Sequence, residues 1–277
     1  MKTRGQAAGK RDFERYQIRS LCRGLDVLLL VARAERAVSV AEVAELSGLS
    51  AVTCYRFLMT LQAEGYVEQD PFSKRYGITP KVLGFGFSYL HGLGYVDRAT
   101  PFLKQLAEKT KESTSMALLD DTEIVYIARY MAQSVLSINL PVGSRLPACF
   151  TAMGYVLMAS LSDEELTRRL ATVYFSAPNP HGPQTLPSLV ERIRATRKLG
   201  YAINDQYLEK GIRSAAAPIY GPLGNVVAAI NLSAPVTRVS MGALSSKILP
   251  LLLRTASSIS IALGYTGERA LSRKSRR

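Results

Sequence analysis

The chain has 277 residues, 47% hydrophobic and 21% charged, which excludes a wholly disordered chain, a fibrous one and a single small module. Its 35 Lys and Arg against 22 Asp and Glu give a net charge of +13 and a pI near 9.8, favouring an anionic partner: nucleic acid, a membrane surface or an acidic ligand. Three scattered cysteines (Cys22, Cys54, Cys149) argue against a disulfide framework, and two histidines (His91, His181) against a His-based triad or a metal cluster.

Residues 1–19 carry Lys2, Arg4, Lys10, Arg11, Arg15 and Arg19 against Asp12 and Glu14, with little apolar periodicity, and read as a basic arm. From Ser20 to Ala34, Leu21, Leu25, Leu28, Leu29 and Ala32 recur at helical spacing, predicting a first helix with one apolar face. The stretch Leu25 to Ala34 is rejected as a signal sequence because Asp26 interrupts it and Arg33 sits in the supposed cleavage motif. No apolar run approaches the ~20 residues of a membrane span. A soluble, cytoplasmic protein in a reducing compartment is expected, with no membrane association, no metal and no cofactor.

Ser39 and Glu42 fit a capping box that opens a second helix, with Val40, Val43, Ala44 and Leu46 inward, and Gly48 supplies its stop. Ser50 caps a third helix running to about Ala63, with Cys54, Phe57, Leu58 and Leu61 inward. Tyr66–Gln69 and Arg75–Ile78, around a turn containing Asp70-Pro71, read as a β-hairpin. Three helices followed by a hairpin predict a winged helix-turn-helix over 20–79, its helix-turn-helix at about 39–63. Pro80 to Tyr95 predicts a linker helix, placed at 80–96.

Beyond it, a helix is predicted over Pro101–Lys111 and strands over Ser115–Leu119, Glu123–Arg129 and Val135–Leu140. Helices follow over Thr151–Leu161 and Asp163–Val173, then a loop over Ala177–Pro183 and a helix over Leu186–Leu199. Strands over Tyr201–Asn204, Arg213–Tyr220 and Asn225–Ser233 precede a last helix over Gly242–Leu263. The fold class is therefore mixed α/β in two domains, the second (97–265) an antiparallel sheet with packed helices, followed by a basic tail at 266–277.

In the third helix Ser50, Thr53, Arg56 and Thr60 form a polar stripe opposite the apolar set, suited to the major groove, where Arg56 reaches guanine O6 and N7. Lys74 and Arg75 on the hairpin are placed against backbone phosphate. Taken singly, each residue reads as a solvated face; in this order they read as a double-stranded DNA-binding module. Two readings from other classes remain: a metabolite-binding protein or enzyme acting on a small acid with a basic nucleic-acid tether, and a structural chromatin protein. No G-x-S-x-G, P-loop or dinucleotide fingerprint supports the enzyme. Cys149 reads as buried filler.

The run Ser20 to Leu28, with Gly48-Leu49-Ser50-Ala51-Val52-Thr53-Cys54-Tyr55-Arg56-Phe57-Leu58 and Glu64-Gly65-Tyr66-Val67, resembles the IclR family of bacterial transcriptional regulators. So do Val142 to Pro147, Thr151 to Gly154, Gly211 to Pro218 and Ala228 to Ser233. Tyr126-Ile127-Ala128-Arg129 and Arg145-Leu146-Pro147-Ala148 look like the subgroup that regulates protocatechuate, 4-hydroxybenzoate and β-ketoadipate catabolism. The resemblance implies a ligand-responsive regulator that is not an enzyme, with a GAF-like effector domain holding a small carboxylic acid at Ala152, Met153, Asn204, Ser214, Asn231 and Ser233. Strand alternation places Val227, Ala229, Asn231 and Ser233 on one face, where Asn231 and Ser233 read either as sheet-rim groups bonded to backbone or as donors on a pocket floor, and Arg129 and Arg145 are either surface or interface arginines or candidates for a second carboxylate. A homodimer or dimer of dimers on a palindromic operator is implied, nucleoid-associated when bound, with RNA polymerase as a further partner.

Overall fold

The computed structural model describes residues 16–34, 36–131, 140–171, 173 and 182–267, and the chain divides into two compact units, Met1–Gly92 and Leu93–Arg277. The basic tail, all but the end of the basic arm, the strand expected over Val135–Leu140 apart from Leu140, and most of the Ala177–Pro183 loop lie outside the described residues.

In the first unit α1 (Arg19–Arg33), α2 (Val40–Ser47) and α3 (Ala51–Ala63) precede the antiparallel pair β1 (Val67–Gln69) and β2 (Tyr76–Ile78), a winged helix-turn-helix. The capping box forms: Ser39 Oγ accepts the Glu42 N–H at 3.3 Å and the Glu42 carboxylate accepts the Ser39 N–H at 2.7 Å. Gly48 ends α2 at φ 68°, a conformation that favours glycine. Val27, Val31, Val43, Cys54, Leu58 and Tyr76 make the core. Val38, before α2, pairs with Tyr76 through two backbone hydrogen bonds of 2.9 and 2.7 Å, tying the wing to the helices.

Two helix faces differ from the periodicity reading. Val27 and Val31 are the buried side of α1, with Leu28 packed beside them, whereas Leu21, Leu25 and Leu29 are more than half exposed as an outward stripe. The helix is apolar on two sides, and spacing alone does not say which side meets the core. Leu46 of α2 points to solvent. The linker region is a 3₁₀ turn (Pro80–Val82) capped by Thr79 and continued by α4 (Leu83–Leu93), which stops short of Tyr95 where Gly94 takes φ 65°.

The second unit opens with α5 (Val96–Thr110), which starts five residues before Pro101 and keeps that proline inside. Proline is commonest in a helix's first turn, which is why Pro101 reads as a start. Among the described residues a six-stranded antiparallel sheet runs in the order β5-β4-β3-β8-β7-β6, comprising β3 (Ser113–Asp120), β4 (Glu123–Tyr130), the unpredicted β5 (Arg145–Pro147), β6 (Ala202–Asp205), β7 (Ile212–Tyr220) and β8 (Val226–Pro235). Between β5 and β6 lie a 3₁₀ turn (Ala148–Phe150), α6 (Ala152–Ala159), α7 (Asp163–Leu170) and α8 (Leu186–Leu199). The last helical run starts as α9 (Met241–Ala243), passes a π turn (Leu244–Ile248) and continues as α10 (Leu249–Ala262).

Helices α5 and α10 cover one face of the sheet and α6, backed by α8, covers the other. The α6 face is built from small residues, Ala117, Ala216 and Ala229, so a wholly buried helix fits against it. At the start of β8 the register with β7 passes from Ile219↔Ala228 to Tyr220↔Val226, a bulge at Val227. It turns Val226, rather than Val227, toward the α6 face, and Val226 packs on that core.

Candidate functional site

The exposed side of the helix-turn-helix is organised by its caps. Ser50 caps α3 by accepting the Thr53 N–H at 3.3 Å, and the two hydroxyls lie 2.8 Å apart. Thr60 donates to the Arg56 carbonyl at 2.9 Å. Arg56 is exposed, and its side chain makes no hydrogen bond among the described residues, so its guanidinium is the charged donor of the stripe. Val52, Tyr55 and Met59 are also exposed on α3, apolar surface of the kind that meets thymine methyls, and periodicity alone did not single them out.

At the wing tip the Asp70 carboxylate accepts the N–H groups of Phe72 and Ser73 and the Ser73 hydroxyl, closing the turn, and these bonds hold its pKa below the ordinary value. Lys74 follows at φ 57°, exposed beside Phe72, which is 93% exposed. Arg75 does not share this outward placement. Its Nη1 donates to Glu42 Oε2 at 2.8 Å and to the Ala37 carbonyl at 3.0 Å, so it ties the wing to α2 and leaves Lys74 as the phosphate candidate of the pair. Its neighbour in sequence gave no sign of this, because the partners come from far along the chain.

In the second unit, the sheet presents polar side chains in two rows beyond the small residues under α6. Ser113, Ser233, Ser214 and Asn204 stand opposite one another across β3, β8, β7 and β6. Arg129, Ser115 and Asn231 form the next row across β4, β3 and β8. Directly paired residues of neighbouring strands share a face, so both rows make one floor. All seven line a cavity of about 90 Å³, with Tyr126, Leu146, Phe150 and Ile212 as apolar wall. That is room for several waters, the scale of a small organic acid.

The N-terminus of α6 closes the cavity. Thr151 caps it by accepting the Gly154 N–H at 2.9 Å, which leaves the first two N–H groups, on Ala152 and Met153, without carbonyl partners inside the helix. Both residues line the cavity, where such N–H groups and the helix dipole favour a carboxylate. Gly154 is required because a Cβ there would overlap the Ala148 carbonyl of the preceding 3₁₀ turn. Asn204 fixes that turn: its Nδ2 donates to the Phe150 carbonyl at 2.6 Å and its Oδ1 accepts the Tyr207 N–H at 2.9 Å.

Seven of the eight expected cavity residues meet: Ala152, Met153, Asn204, Ser214, Asn231, Ser233 and Arg129. Arg145 does not join them. It pairs with Asp120 at 2.6 Å and Glu123 at 2.7 Å outside the cavity, and those carboxylates raise its pKa. Arg129, half-buried, donates to the Leu140 carbonyl at 3.1 Å, and burial lowers its pKa. The charge that sequence reasoning missed is Arg238, which lines the cavity and holds Glu112 through both carboxylate oxygens at 2.6 Å each, and Glu209 lines it too. With Arg238 and Glu112 126 positions apart, no local spacing signals the pair. Cys149, close by and 4% exposed, is pushed up to about 11 by burial, as filler would be. Among the described residues no His, Cys, Asp and Glu group is arranged to hold a metal ion, and no helix is long and apolar enough to cross a membrane.

Comparison with known proteins agrees across both units. Residues 20–71 match the IclR helix-turn-helix domain and residues 87–261 the bacterial transcriptional regulator IclR C-terminal domain. The Pca regulon regulatory protein of Pseudomonas putida is 35% identical over 238 residues, covering 84% of this chain and 80% of its own. A crystal structure of a Rhodococcus sp. RHA1 protein is 37% identical with TM-score 0.76, covering 89% of this chain and 98% of that one. An IclR homologue of Microbacterium hydrocarbonoxydans, solved with 4-hydroxybenzoate, shares the fold at TM-score 0.75 and 19% identity, covering 88% and 98%.

Proposed function

The chain belongs to the IclR family of bacterial transcriptional regulators, and from that premise we propose that its small-acid cavity sets operator affinity for genes of aromatic-acid or β-ketoadipate catabolism. It is a ligand-responsive DNA-binding regulator and not an enzyme. The observation that carries the proposed site is the meeting of the free N–H groups of Ala152 and Met153 with Arg129 above a floor of Ser113, Ser115, Ser214, Asn231 and Ser233. Donors converge there from four strands and one helix end, an arrangement for an anion with a polar remainder. Support for the pathway comes from the 35% identical Pca regulon regulator.

On the DNA side, Arg56 reads a base in the major groove, Ser50, Thr53 and Thr60 border it, and Lys74 sits on phosphate. The outward stripe of Leu21, Leu25 and Leu29 on α1, with exposed Leu83, Phe85 and Phe87 on α4, is apolar surface for a second copy. A homodimer, or a dimer of dimers, then places two readers on a palindromic operator with half-sites ~34 Å apart. RNA polymerase is the further partner through which a bound regulator acts, at the nucleoid. Coupling requires the acid to bind two arrangements of the paired readers with different affinity.

Footprinting on the promoter region beside its own gene, at fixed salt and titrated with protocatechuate, 4-hydroxybenzoate and β-ketoadipate, tests the reading. A sequence-specific footprint altered by one of the three supports it. A specific footprint indifferent to all three removes the pathway assignment, and binding without sequence preference removes operator reading by Arg56.

A further inference from the structure

We propose that Val52 reads the methyl group of a thymine lying within about two base pairs of the guanine that Arg56 contacts; this rests on the operator-reading proposal above. Helix α3 has one inward side, fixed by Cys54 and Leu58, both 0% exposed, with Phe57 and Leu61 packed beside them. At about 3.6 residues per turn, Val52, Arg56 and Met59 fall within about 30° of the opposite direction, while Thr53, Tyr55 and Thr60 stand to the sides. The hydroxyls of the polar stripe are engaged within the helix itself. Ser50 Oγ accepts the Thr53 N–H at 3.3 Å and lies 2.8 Å from Thr53 Oγ1, and Thr60 donates to the Arg56 carbonyl at 2.9 Å. What faces outward along the first half of α3 is therefore the Arg56 guanidinium and, one turn before it, the isopropyl group of Val52, a residue 72% exposed.

Position and chemistry together select what Val52 meets. It follows Ala51, the first residue of α3, and the N-terminal residues of a recognition helix are the ones that reach base edges. An isopropyl group neither donates nor accepts a hydrogen bond, so the amino and carbonyl groups of the base edges offer it nothing. The apolar feature of the major groove is the thymine C5 methyl. Valine holds one strongly preferred rotamer in a helix, so little side-chain freedom is lost on contact. Val52 and Arg56 are about 6 Å apart along the helix axis and base pairs stack about 3.4 Å apart, which sets the two contacts within about two base pairs of each other. Met59 shares the outward direction but stands nearly two turns farther from the helix N-terminus.

Replacing each operator thymine singly by deoxyuridine tests this, since the change removes the C5 methyl and leaves base pairing and every hydrogen-bonding group in place. The full chain is titrated at fixed salt against such duplexes, built on the sequence footprinted beside its own gene, and Arg56→Ala against single base-pair changes locates the guanine. Wild type is expected to bind about fourfold more weakly per half-site when the thymine near that guanine loses its methyl, the effect of about one methylene left in water. Val52→Ala is expected to bind the thymine and uracil duplexes alike, and Val52→Ile to keep the preference. Because Val52 is on the solvent side of α3, both variants are expected to fold as wild type does. Deoxyuridine without effect at every thymine within about two base pairs of the guanine, or no thymine there, overturns the assignment. So does a loss that persists undiminished in Val52→Ala, or one that vanishes in Met59→Ala instead. In each of these cases Arg56 still reads its guanine. Unchanged base preference in Arg56→Ala overturns operator reading by Arg56 and removes this inference with it.

Discussion

Arg75 Nη1 of the wing lies 2.8 Å from Glu42 Oε2 of α2, although 33 positions separate them in the chain. The same carboxylate accepts the Ser39 N–H at 2.7 Å and Arg36 at 2.7 Å, so the residue that caps the helix also anchors the hairpin. One side chain therefore sets both the start of the helix-turn-helix and the position of the wing that carries Lys74.

The pH dependence of stability should expose this junction. The Ser39 N–H, followed by Arg36, lowers the Glu42 pKa from 4.5 to about 2. A lowered carboxylate pKa gives stability that is present above the ordinary value and disappears as pH falls toward the folded one. Wild type is therefore expected to exceed Glu42→Gln most near neutrality, with the gap closing between 4.5 and about 2. Thermal melts across that range check it, and a constant gap contradicts it.

Arg56 and Lys74 should fail in different ways. Arg56→Ala is expected to cost ~1–3 kcal/mol on the operator and to relax preference at one base position. Lys74→Ala should weaken binding to all sequences and lower the salt slope by about one. Arg75→Ala should disturb the wing through Glu42 rather than remove a phosphate contact, so its loss is expected to be non-additive with Glu42→Gln. Binding titrations on operator and scrambled duplexes at several salt concentrations separate the three.

Gly154→Ala should be far worse than an ordinary helical substitution. The added methyl meets the Ala148 carbonyl and pushes α6 away from the 3₁₀ turn that presents Ala152 and Met153. Overpacking of this kind typically costs ~1–3 kcal/mol, and denaturant unfolding together with acid titration should show lost stability and lost ligand response.

Cysteine labelling should follow burial. Cys54 and Cys149 are both buried away from reagent, and burial pushes the Cys149 thiol up to about 11, so it forms little thiolate at pH 8. Iodoacetamide on the native protein is expected to label Cys22 first, with the other two labelled only in denaturant, as peptide mass spectrometry would show.

Much of this was legible in local sequence because it is fixed by local geometry. The Ser39–Glu42 box, the Gly48 stop and the Ser50 cap each involve residues within a few positions, and each forms. Alternation placed Ala229, Asn231 and Ser233 on one face, but it failed at Val227, where a bulge adds one residue to the strand. Leu21, Leu25 and Leu29 share the spacing of buried residues and are exposed, since a helix apolar on two sides does not declare which one packs inside. Arg75 and Arg145 looked free because their carboxylates come from distant strands and helices, and Arg238 went unnoticed for the same reason. Long-range ion pairs have no periodicity.

The most direct test of the account joins the cavity to the DNA. Ser214 lines the floor on β7, and Ser214→Phe fills the space with a ring while leaving the helix-turn-helix untouched. Operator affinity of wild type and this variant should be measured against a rising concentration of the effector acid. Wild-type affinity is expected to change by about 5-fold to 150-fold, and the variant should bind the operator as wild type does without acid and ignore the acid throughout. An unchanged response in a folded Ser214→Phe protein would contradict the cavity as the site that governs DNA binding.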